Sequence, residues 1–291
     1  MAIPVLAVSP LWGDAASDRA KANLHRPIVL GADDHRAVPD APVGFDQPRA
    51  GIPHGRVELL EWDSRTVGTR RRASVYLPPN YSAATSYPTL YLLHGIDGDE
   101  TEWLHFAHPD VILDNLIAEG RAQPMIVVLP NGRAMKNDAR GGNPFTAEKV
   151  AAFAHFEPDL LDDLIPAVEG KYPVIRDRQH RALAGLSMGG GQTLNFGLHH
   201  LDRFAWLGAF SPAPNTLPPS EVIPDASAAR VELRLFWLSC GSHDGLINIS
   251  QGVHSRLKEL GVPHVWNVDD HAHESAEWAN NFYHFAQRVF N

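Results

Sequence analysis

Short apolar runs recur along the chain from residue 89 onward, and each is about as long as one strand of a sheet. Nearly every position in these runs is apolar, which is typical of parallel strands that are buried on both faces. A strand in which apolar and polar residues alternate would have one face in contact with solvent instead. The apolar runs therefore predict six central strands, at residues 89–93, 125–129, 182–184, 206–210, 235–238 and 265–268.

Segments with helical periodicity lie between the apolar runs. Alternation of strands with helices of 10 to 15 residues predicts a mostly parallel sheet with helices on both faces, which is an α/β fold. Two earlier runs, 56–62 and 74–77, alternate apolar and polar residues and predict antiparallel strands joined by a turn near Gly68. The predicted helices are 110–119, 156–169, 189–200, 250–260 and 274–290.

The first part of the chain lacks this periodicity. Residues 9–55 are rich in Pro, Gly, Asp and Ala, which is typical of an extended loop that packs on a domain. We therefore predict an N-terminal arm at 1–50 and a single domain, large enough to be catalytic, at 51–291. Two further loops, 131–146 and 211–229, are long enough to shape a crevice at the carboxyl ends of the strands.

Composition narrows the possible partners. The 291 residues include 25 basic and 34 acidic side chains, so the formal net charge is −9. This charge argues against a nucleic-acid or membrane partner, and the oligomeric state is left open. No apolar stretch approaches the roughly 20 residues of a membrane helix, and the N-terminus is a poor signal peptide. We expect a soluble protein, either cytoplasmic or secreted after removal of a leader.

The strongest chemical signal is the sequence GLSMG at residues 185–189, which matches the G-x-S-x-G pattern. It directly follows a predicted strand and directly precedes a predicted helix. In that setting the serine sits on a sharp turn, and small residues on either side avoid steric collision. The helix N-terminus also favours negative charge near the serine. We predict that Ser187 is a nucleophile.

A serine nucleophile needs a histidine base and a carboxylate, which follow it in the chain in the order acid, then histidine. The acid should lie just past a later strand. We predict Asp244, which follows the run 235–238, over the competing acids Asp225, Asp269 and Asp270. For the base, position alone leaves two histidines open, and these are His271 and His273.

The loop after the third strand should supply a backbone N–H that binds an oxyanion, beside the N–H of the residue after the serine. Those donors are predicted at Ile96 and Met188. We expect His94, which precedes Gly95 in this loop, to be a packed structural histidine. The 16 histidines include no zinc-binding spacing and the single cysteine, Cys240, excludes a thiolate cluster, so we expect no metal and no cofactor.

Taken as an ordered set, these motifs resemble carbohydrate esterase family one, the feruloyl esterase branch of the esterase superfamily. The resemblance implies an alpha/beta-hydrolase fold, and it favours His273 as the base because the family's histidine precedes a tryptophan by five positions, here Trp278. One departure is His271-Ala272, where the family often has Gly-Gly. The resemblance rests on GIPHG (51–55), VYLPP (75–79), LLHG (92–95), PNG (130–132), GLSMGG (185–190), HESAEW (273–278) and NFY (281–283).

The resemblance implies a serine esterase that hydrolyses feruloyl esters of plant cell-wall polysaccharide through an acyl-enzyme. Its substrate would be a small-molecule or polysaccharide ester. Aromatic and polar residues near the expected crevice are candidates for substrate contact. These candidates are Glu102, Trp103, Asn131, Phe145 and Phe210.

Other functions are compatible with the same sequence. An acetyl xylan esterase, a general carboxylesterase or a polyester hydrolase would use the same three catalytic residues. A different class of protein, a non-catalytic carbohydrate-binding relative, would retain the fold without the chemistry. A metal-dependent hydrolase that uses the histidines would lose activity with a chelator.

Overall fold

A computed structural model describes residues 26–291 of the chain. Within that range eight strands form one sheet, in the order β1-β2-β4-β3-β5-β6-β7-β8. β1 and β2 are antiparallel to each other, β2 is antiparallel to β4, and every later pair is parallel. The strands are β1 (Arg56–Ser64), β2 (Thr69–Leu77), β3 (Thr89–Leu93), β4 (Ile126–Pro130), β5 (Arg181–Leu186), β6 (Trp206–Phe210), β7 (Leu235–Gly241) and β8 (Val265–Asp269).

Helices cover both faces of the sheet. α2 and α9 pack with the apolar side chains of one face, and α5, α6 and α8 pack with those of the other. The helices are α1 (Glu102–Phe106), α2 (Pro109–Ala118), α3 (Ala147–Ala154), α4 (Phe156–Pro158), α5 (Ile165–Lys171), α6 (Ser187–His199), α7 (Ala226–Glu232), α8 (Ile247–Glu259) and α9 (Ser275–Ala286).

The predicted alpha/beta-hydrolase architecture is confirmed, because all eight predicted strands are present and most of the sheet is parallel. One predicted helix is wrong in detail. Residues 156–169 form α4, a π-helical stretch at Asp159–Leu164, and then α5. Pro158 and Pro166 in this region have no backbone N–H to donate, which interrupts the regular helical hydrogen bonds. The short helices α1, α3 and α7 lie in segments where no helix was predicted.

The first 25 residues of the predicted arm lie outside the described residues. Residues 26–50 run along β8 and α9. The N–H of Val268 in β8 donates to the carbonyl of His35 at 3.1 Å, and the N–H of Ala41 donates to the Oδ1 of Asn280 in α9 at 2.8 Å. The described part of the arm thus lies beside the last strand of the sheet, while the division of the chain at residue 50 stays a prediction.

The carboxyl ends of the parallel strands share one edge of the sheet, and the residues with predicted chemistry lie there. His94 follows β3, Ser187 follows β5, Asp244 follows β7 and His273 follows β8. Functional loops of an open α/β sheet lie at this edge. None of the helices formed by residues 26–291 is both long and apolar enough to span a membrane.

Candidate active site

Ser187 occupies the turn between β5 and α6. Its φ is +51°, in the left-handed region that an L-residue rarely adopts. The turn is closed by two glycines: a Cβ atom on Gly185 would lie 2.5 Å from the carbonyl carbon of Gly189, and one on Gly189 would lie 2.5 Å from the carbonyl oxygen of Leu93. Because these contacts are to backbone, only glycine fits at either position. The strained turn holds the serine at the end of the strand.

The imidazole of His273 lies between Ser187 and Asp244, within hydrogen-bonding distance of each. The Nε2 of His273 is 2.9 Å from the Oγ of Ser187, and its Nδ1 is 2.7 Å from the Oδ2 of Asp244. A neutral imidazole with its proton on Nδ1 would donate to the carboxylate and accept from the hydroxyl. This arrangement can remove a proton from the serine as it attacks an electrophile.

Asp244 is completely buried, and burial by itself raises the pKa of its carboxyl. The hydrogen bond and charge of His273, together with the N–H of Leu246 at 2.7 Å from Oδ1, outweigh burial and lower the pKa below its ordinary value. The thiol of Cys240 also donates to Oδ2 at 3.4 Å. The carboxyl is therefore held in its ionised form beside the imidazole.

The competing acids have other contacts. Asp225 accepts from the N–H groups of Ser227 and Ala228 and caps α7. Asp270 is exposed and pairs with Arg36. Asp269 is buried, and burial raises its pKa.

Asp269 also has its two oxygens occupied. Its Oδ2 accepts from the side chains of Asn280 and Asn281, each at 3.0 Å, and its Oδ1 accepts from the N–H of His271. The imidazole of His271 lies 3.8 Å from a Glu274 oxygen, so it faces that residue and not the serine.

The two predicted oxyanion donors lie beside the serine. Met188 is the second residue of α6, and its N–H belongs to the first helical turn, where no intrahelical acceptor exists. A Cβ atom on Gly95 would lie 3.5 Å from the Cβ of Ser187, so the Gly95–Ile96 peptide borders Ser187. The side chains of Ile96 and Met188 pack in the same small apolar cluster. Their N–H groups can therefore serve one oxyanion.

His94 is buried, and its hydrogen bonds define its tautomer. The N–H of Gly132 donates to Nε2 at 2.7 Å, so Nε2 carries no proton, and Nδ1 donates to the carbonyl of Gly95 at 2.6 Å. Burial, reinforced by the positive charge of Arg133, lowers the pKa of His94 to about 4. The expectation of a structural histidine agrees with these contacts. It holds the carbonyl of the same peptide group whose N–H belongs to Ile96.

Two of the residues predicted to contact substrate lie in the core. Trp103 is 1% exposed and its Nε1 donates to the carbonyl of Leu93, while Phe210 is 0% exposed. Their rings pack edge to face at 6.1 Å. The prediction that they contact substrate is therefore corrected: β6 and α1 direct both aromatic side chains into the core, where burial of a large ring is most favourable.

The other three candidates differ in their surroundings. Asn131 is 2% exposed; its Oδ1 accepts from the N–H of Arg133 and its Nδ2 donates to the carbonyl of Asp138, so it holds its own loop together and does not face a substrate. Glu102 accepts the N–H of Gly95 at 2.7 Å, and burial raises its pKa.

Phe145 is 64% exposed on the loop after β4. Its proposed contact with substrate stays a prediction. In the part of the chain that the structure covers, no group of three or more His, Cys, Asp or Glu side chains is arranged to hold a metal ion.

Two buried residues near the serine, histidine and acid were not identified from the sequence. Arg133 contacts the loop that carries Ile96. Ser211, with a φ of +45°, donates its hydroxyl to the Sγ of Cys240, whose thiol in turn donates to Asp244. No local motif marks these residues, since each contacts the site through residues far away in the chain.

With the fold and the site's geometry established, comparison with known proteins identifies the class. The model of the Esterase family matches residues 64–283. The chain therefore belongs to the esterase family.

Individual relatives narrow this class. The chain is 33% identical over 261 residues to an endo-1,4-beta-xylanase/feruloyl esterase of Xylanibacter ruminicola, covering 87% of this chain and 34% of that protein. It is 30% identical over 220 residues to endo-1,4-beta-xylanase Y of Acetivibrio thermocellus, covering 68% of this chain and 18% of that protein. The chain thus spans about a third or less of these relatives.

A solved structure is also similar. The structure of a CE1 ferulic acid esterase from Anaeromyces mucronatus, in complex with ferulic acid, superposes with a TM-score of 0.79 at 25% identity and covers 90% of this chain and 98% of that one. The predicted resemblance to the feruloyl esterase branch is confirmed.

Proposed function

We propose that the protein is a serine esterase that hydrolyses carboxylic esters in two steps. The continuous hydrogen-bonded series Ser187, His273 and Asp244 carries this proposal. His273 accepts the proton of Ser187 as the Oγ of Ser187 attacks the ester carbonyl carbon. The proton then passes from His273 to the departing alcohol as the ester C–O bond breaks.

Each remaining group has one task in this scheme. The ionised Asp244 stabilises the imidazolium that forms on His273. The N–H groups of Ile96 and Met188 donate to the negative oxygen of the tetrahedral intermediate. In the second step a water gives a proton to His273 and attacks the acyl carbon. The bond from that carbon to Oγ then breaks, His273 returns the proton to Oγ, and the acid leaves.

The substrate we propose is a feruloyl or related hydroxycinnamoyl ester of plant cell-wall polysaccharide. The support comes from relatives: one is named a xylanase/feruloyl esterase, and a structural neighbour contains ferulic acid. The exposed ring of Phe145, on a loop at the same edge of the sheet, is available to stack on a phenolic acyl group.

The test measures hydrolysis of four substrates: methyl ferulate, feruloylated arabinoxylan, acetylated xylan and an aryl acetate. We expect the native protein to release ferulate much faster than acetate from polysaccharide. Ser187→Ala should lower the rate with every ester by about 10⁴-fold or more, because the nucleophile is lost.

His273→Ala should be similarly inactive, whereas His271→Ala, the matched control, should retain activity. Retention of activity by Ser187→Ala would refute the serine mechanism. Faster release of acetate than of ferulate would refute the substrate class alone.

A further inference from the structure

Arg133 is a buried arginine that contacts the loop beside the nucleophile. It is 2% exposed. Its Nη1 donates to the carbonyls of Ile96 at 3.2 Å and Gly98 at 2.6 Å, and its Nη2 donates to the carbonyl of Asp138 at 2.9 Å. The guanidinium thus joins the loop after β3 to the loop after β4 through three carbonyl groups.

Two other buried arginines show what is unusual about Arg133. Arg71 forms an ion pair with Asp159, and Arg181 forms one with Glu169 at 2.6 Å. Within residues 26–291, no carboxylate forms such an ion pair with Arg133. Burial lowers its pKa, and the acidic groups that act on it electrostatically do so from a greater distance; they are Asp97, Asp99, Glu102 and Asp138. Its positive charge is directed mainly at backbone carbonyls.

The same loop is held at two further points. The Nδ1 of His94 donates to the carbonyl of Gly95, and a carboxylate oxygen of Glu102 accepts the N–H of Gly95. In a trans peptide the C=O and N–H point in opposite directions. When His94 holds the Gly95 carbonyl on one side, the N–H of Ile96 must face the other side.

On the basis of the proposed function, we propose that Arg133 is a positioning residue for the oxyanion hole. By bridging the carbonyls of Ile96 and Gly98 from the buried side, it fixes the peptide that follows the one held by His94. The two contacts together keep the N–H of Ile96 directed at the oxygen that becomes negative. The buried charge of Arg133 further favours that negative charge, because the surroundings screen it weakly.

This role predicts a loss that falls on the chemical step. The N–H of Ile96 interacts most strongly with an oxygen that carries negative charge, which exists only in the transition state and intermediate. A misdirected N–H should therefore lower kcat and leave KM nearly unchanged. Arg133→Met removes the three donors and the charge while it retains much of the buried aliphatic volume.

The experiment compares native protein with Arg133→Met, Arg133→Lys and Arg181→Met, using methyl ferulate as substrate and phenylboronic acid as a mimic of the tetrahedral intermediate. Arg133→Met should lower kcat by about 10- to 100-fold. This decrease is no larger than the decrease in kcat expected when a direct oxyanion donor is removed. Boronate affinity should fall by a similar factor, while KM changes less than about threefold.

Arg181→Met is the matched control, since Arg181 is also buried and also donates to backbone carbonyls, but at the opposite end of β5. It should lower Tm without changing kcat or boronate affinity in the folded protein. Arg133→Lys keeps the charge with fewer donors and should fall between native protein and Arg133→Met.

Specific results would overturn the inference. If Arg133→Met lowers only Tm and keeps kcat and boronate affinity, Arg133 is merely structural. If Arg133→Lys is as impaired as Arg133→Met, the contribution of charge is refuted. Loss of activity in Ser187→Ala alongside a fully active Arg133→Met would refute this inference and leave the proposed function intact.

Discussion

Asp244 shows how a single buried residue acquires its chemical state from its neighbours. Burial would favour the neutral acid, but contacts from His273 and Leu246 lower the pKa of the carboxyl. An ionised carboxylate at this position can both orient the imidazole and stabilise its protonated form.

Replacement of that carboxylate tests its role. Asp244→Asn should lower kcat by about 10⁴-fold, because an amide gives no negative charge and can favour the wrong tautomer of His273. Hydrolysis of methyl ferulate, measured with Tm, checks this. Asp225→Asn is the control, since asparagine also caps a helix well and should leave kcat unchanged. Equal activity of the two variants would contradict the assignment of the acid.

Glu277 is a buried carboxyl whose pKa shifts in the direction opposite to that of Asp244. It is 0% exposed in the first turn of α9, and its Oε1 accepts from Ser239 at 2.8 Å and from Asn281 at 2.9 Å. Its Oε2 has no hydrogen-bond partner among the described residues. Burial, followed by the nearby charge of Asp269, raises the pKa of Glu277 well above its ordinary value. We therefore expect a neutral carboxylic acid.

A raised pKa makes stability depend on pH in a defined direction. The folded protein retains a proton that the unfolded chain loses above about pH 4.5, so stability should fall as pH rises from there toward the folded pKa, by up to about 1.4 kcal/mol per pH unit. Glu277→Gln removes the carboxyl that titrates, so the variant lacks this pH dependence. Its stability relative to native protein, measured by urea unfolding, should increase from pH 5 to pH 8. A difference that stays constant with pH would contradict the neutral state.

At the scale of elements, the site depends on the turn that joins β5 to α6. The turn brings the start of α6 against the end of β3, so close that a Cβ atom on Gly189 would overlap the carbonyl oxygen of Leu93. The same approach places Ser187 beside Gly95. The packing of strand, turn and helix therefore sets the distance between Ser187 and the loop after β3.

One added methyl group tests this packing. Gly189→Ala should destabilise the protein by roughly 1–3 kcal/mol and lower kcat, because backbone cannot move aside without displacing Ser187. Gly170→Ala in α5 is the matched control: nothing lies within 4 Å of its Cβ position, so it should leave kcat unchanged and be neutral or stabilising. Urea unfolding and methyl ferulate kinetics measure both effects. An active, stable Gly189→Ala would contradict the close approach.

At the scale of the whole molecule, the segment 26–50 connects to the part of the sheet that precedes His273. The N–H of Ala37 donates to the Oδ1 of Asn267 in β8 at 2.9 Å, and the Nδ2 of Asn267 donates to Asn281 in α9. Asn281 in turn donates to Asp269, which accepts the N–H of His271. A buried polar network thus extends from residue 37 of the arm to the loop that carries His273.

A matched pair on the arm tests whether this segment belongs to the folded unit. Phe45 is half-buried and packs edge to face on Tyr283 with ring centres 5.2 Å apart, whereas Val43 is fully exposed. Phe45→Ala should destabilise the protein by about 1–3 kcal/mol, and Val43→Ala by less than about 0.5 kcal/mol. Equal Tm values for the two variants would show that the arm contributes no packing.

The sequence by itself determined the features that depend on neighbours in the chain. Buried strands require apolar runs, and the serine turn requires small residues at Gly185 and Gly189, so composition and spacing identified both. The order of nucleophile, acid and base along the chain then restricted the remaining candidates. For the base, the residues left His271 and His273 open, and the family resemblance favoured His273.

Only the tertiary structure decided which side chains meet across the fold. Ser187 and His273 are 86 positions apart, and Arg133 and Ile96 are 37 apart. Whether an aromatic residue such as Trp103 faces a crevice or the core depends on the orientation of its helix against the sheet. Hydrophobicity drives burial in either case and has no direction, so residue type alone does not distinguish a substrate contact from a core contact.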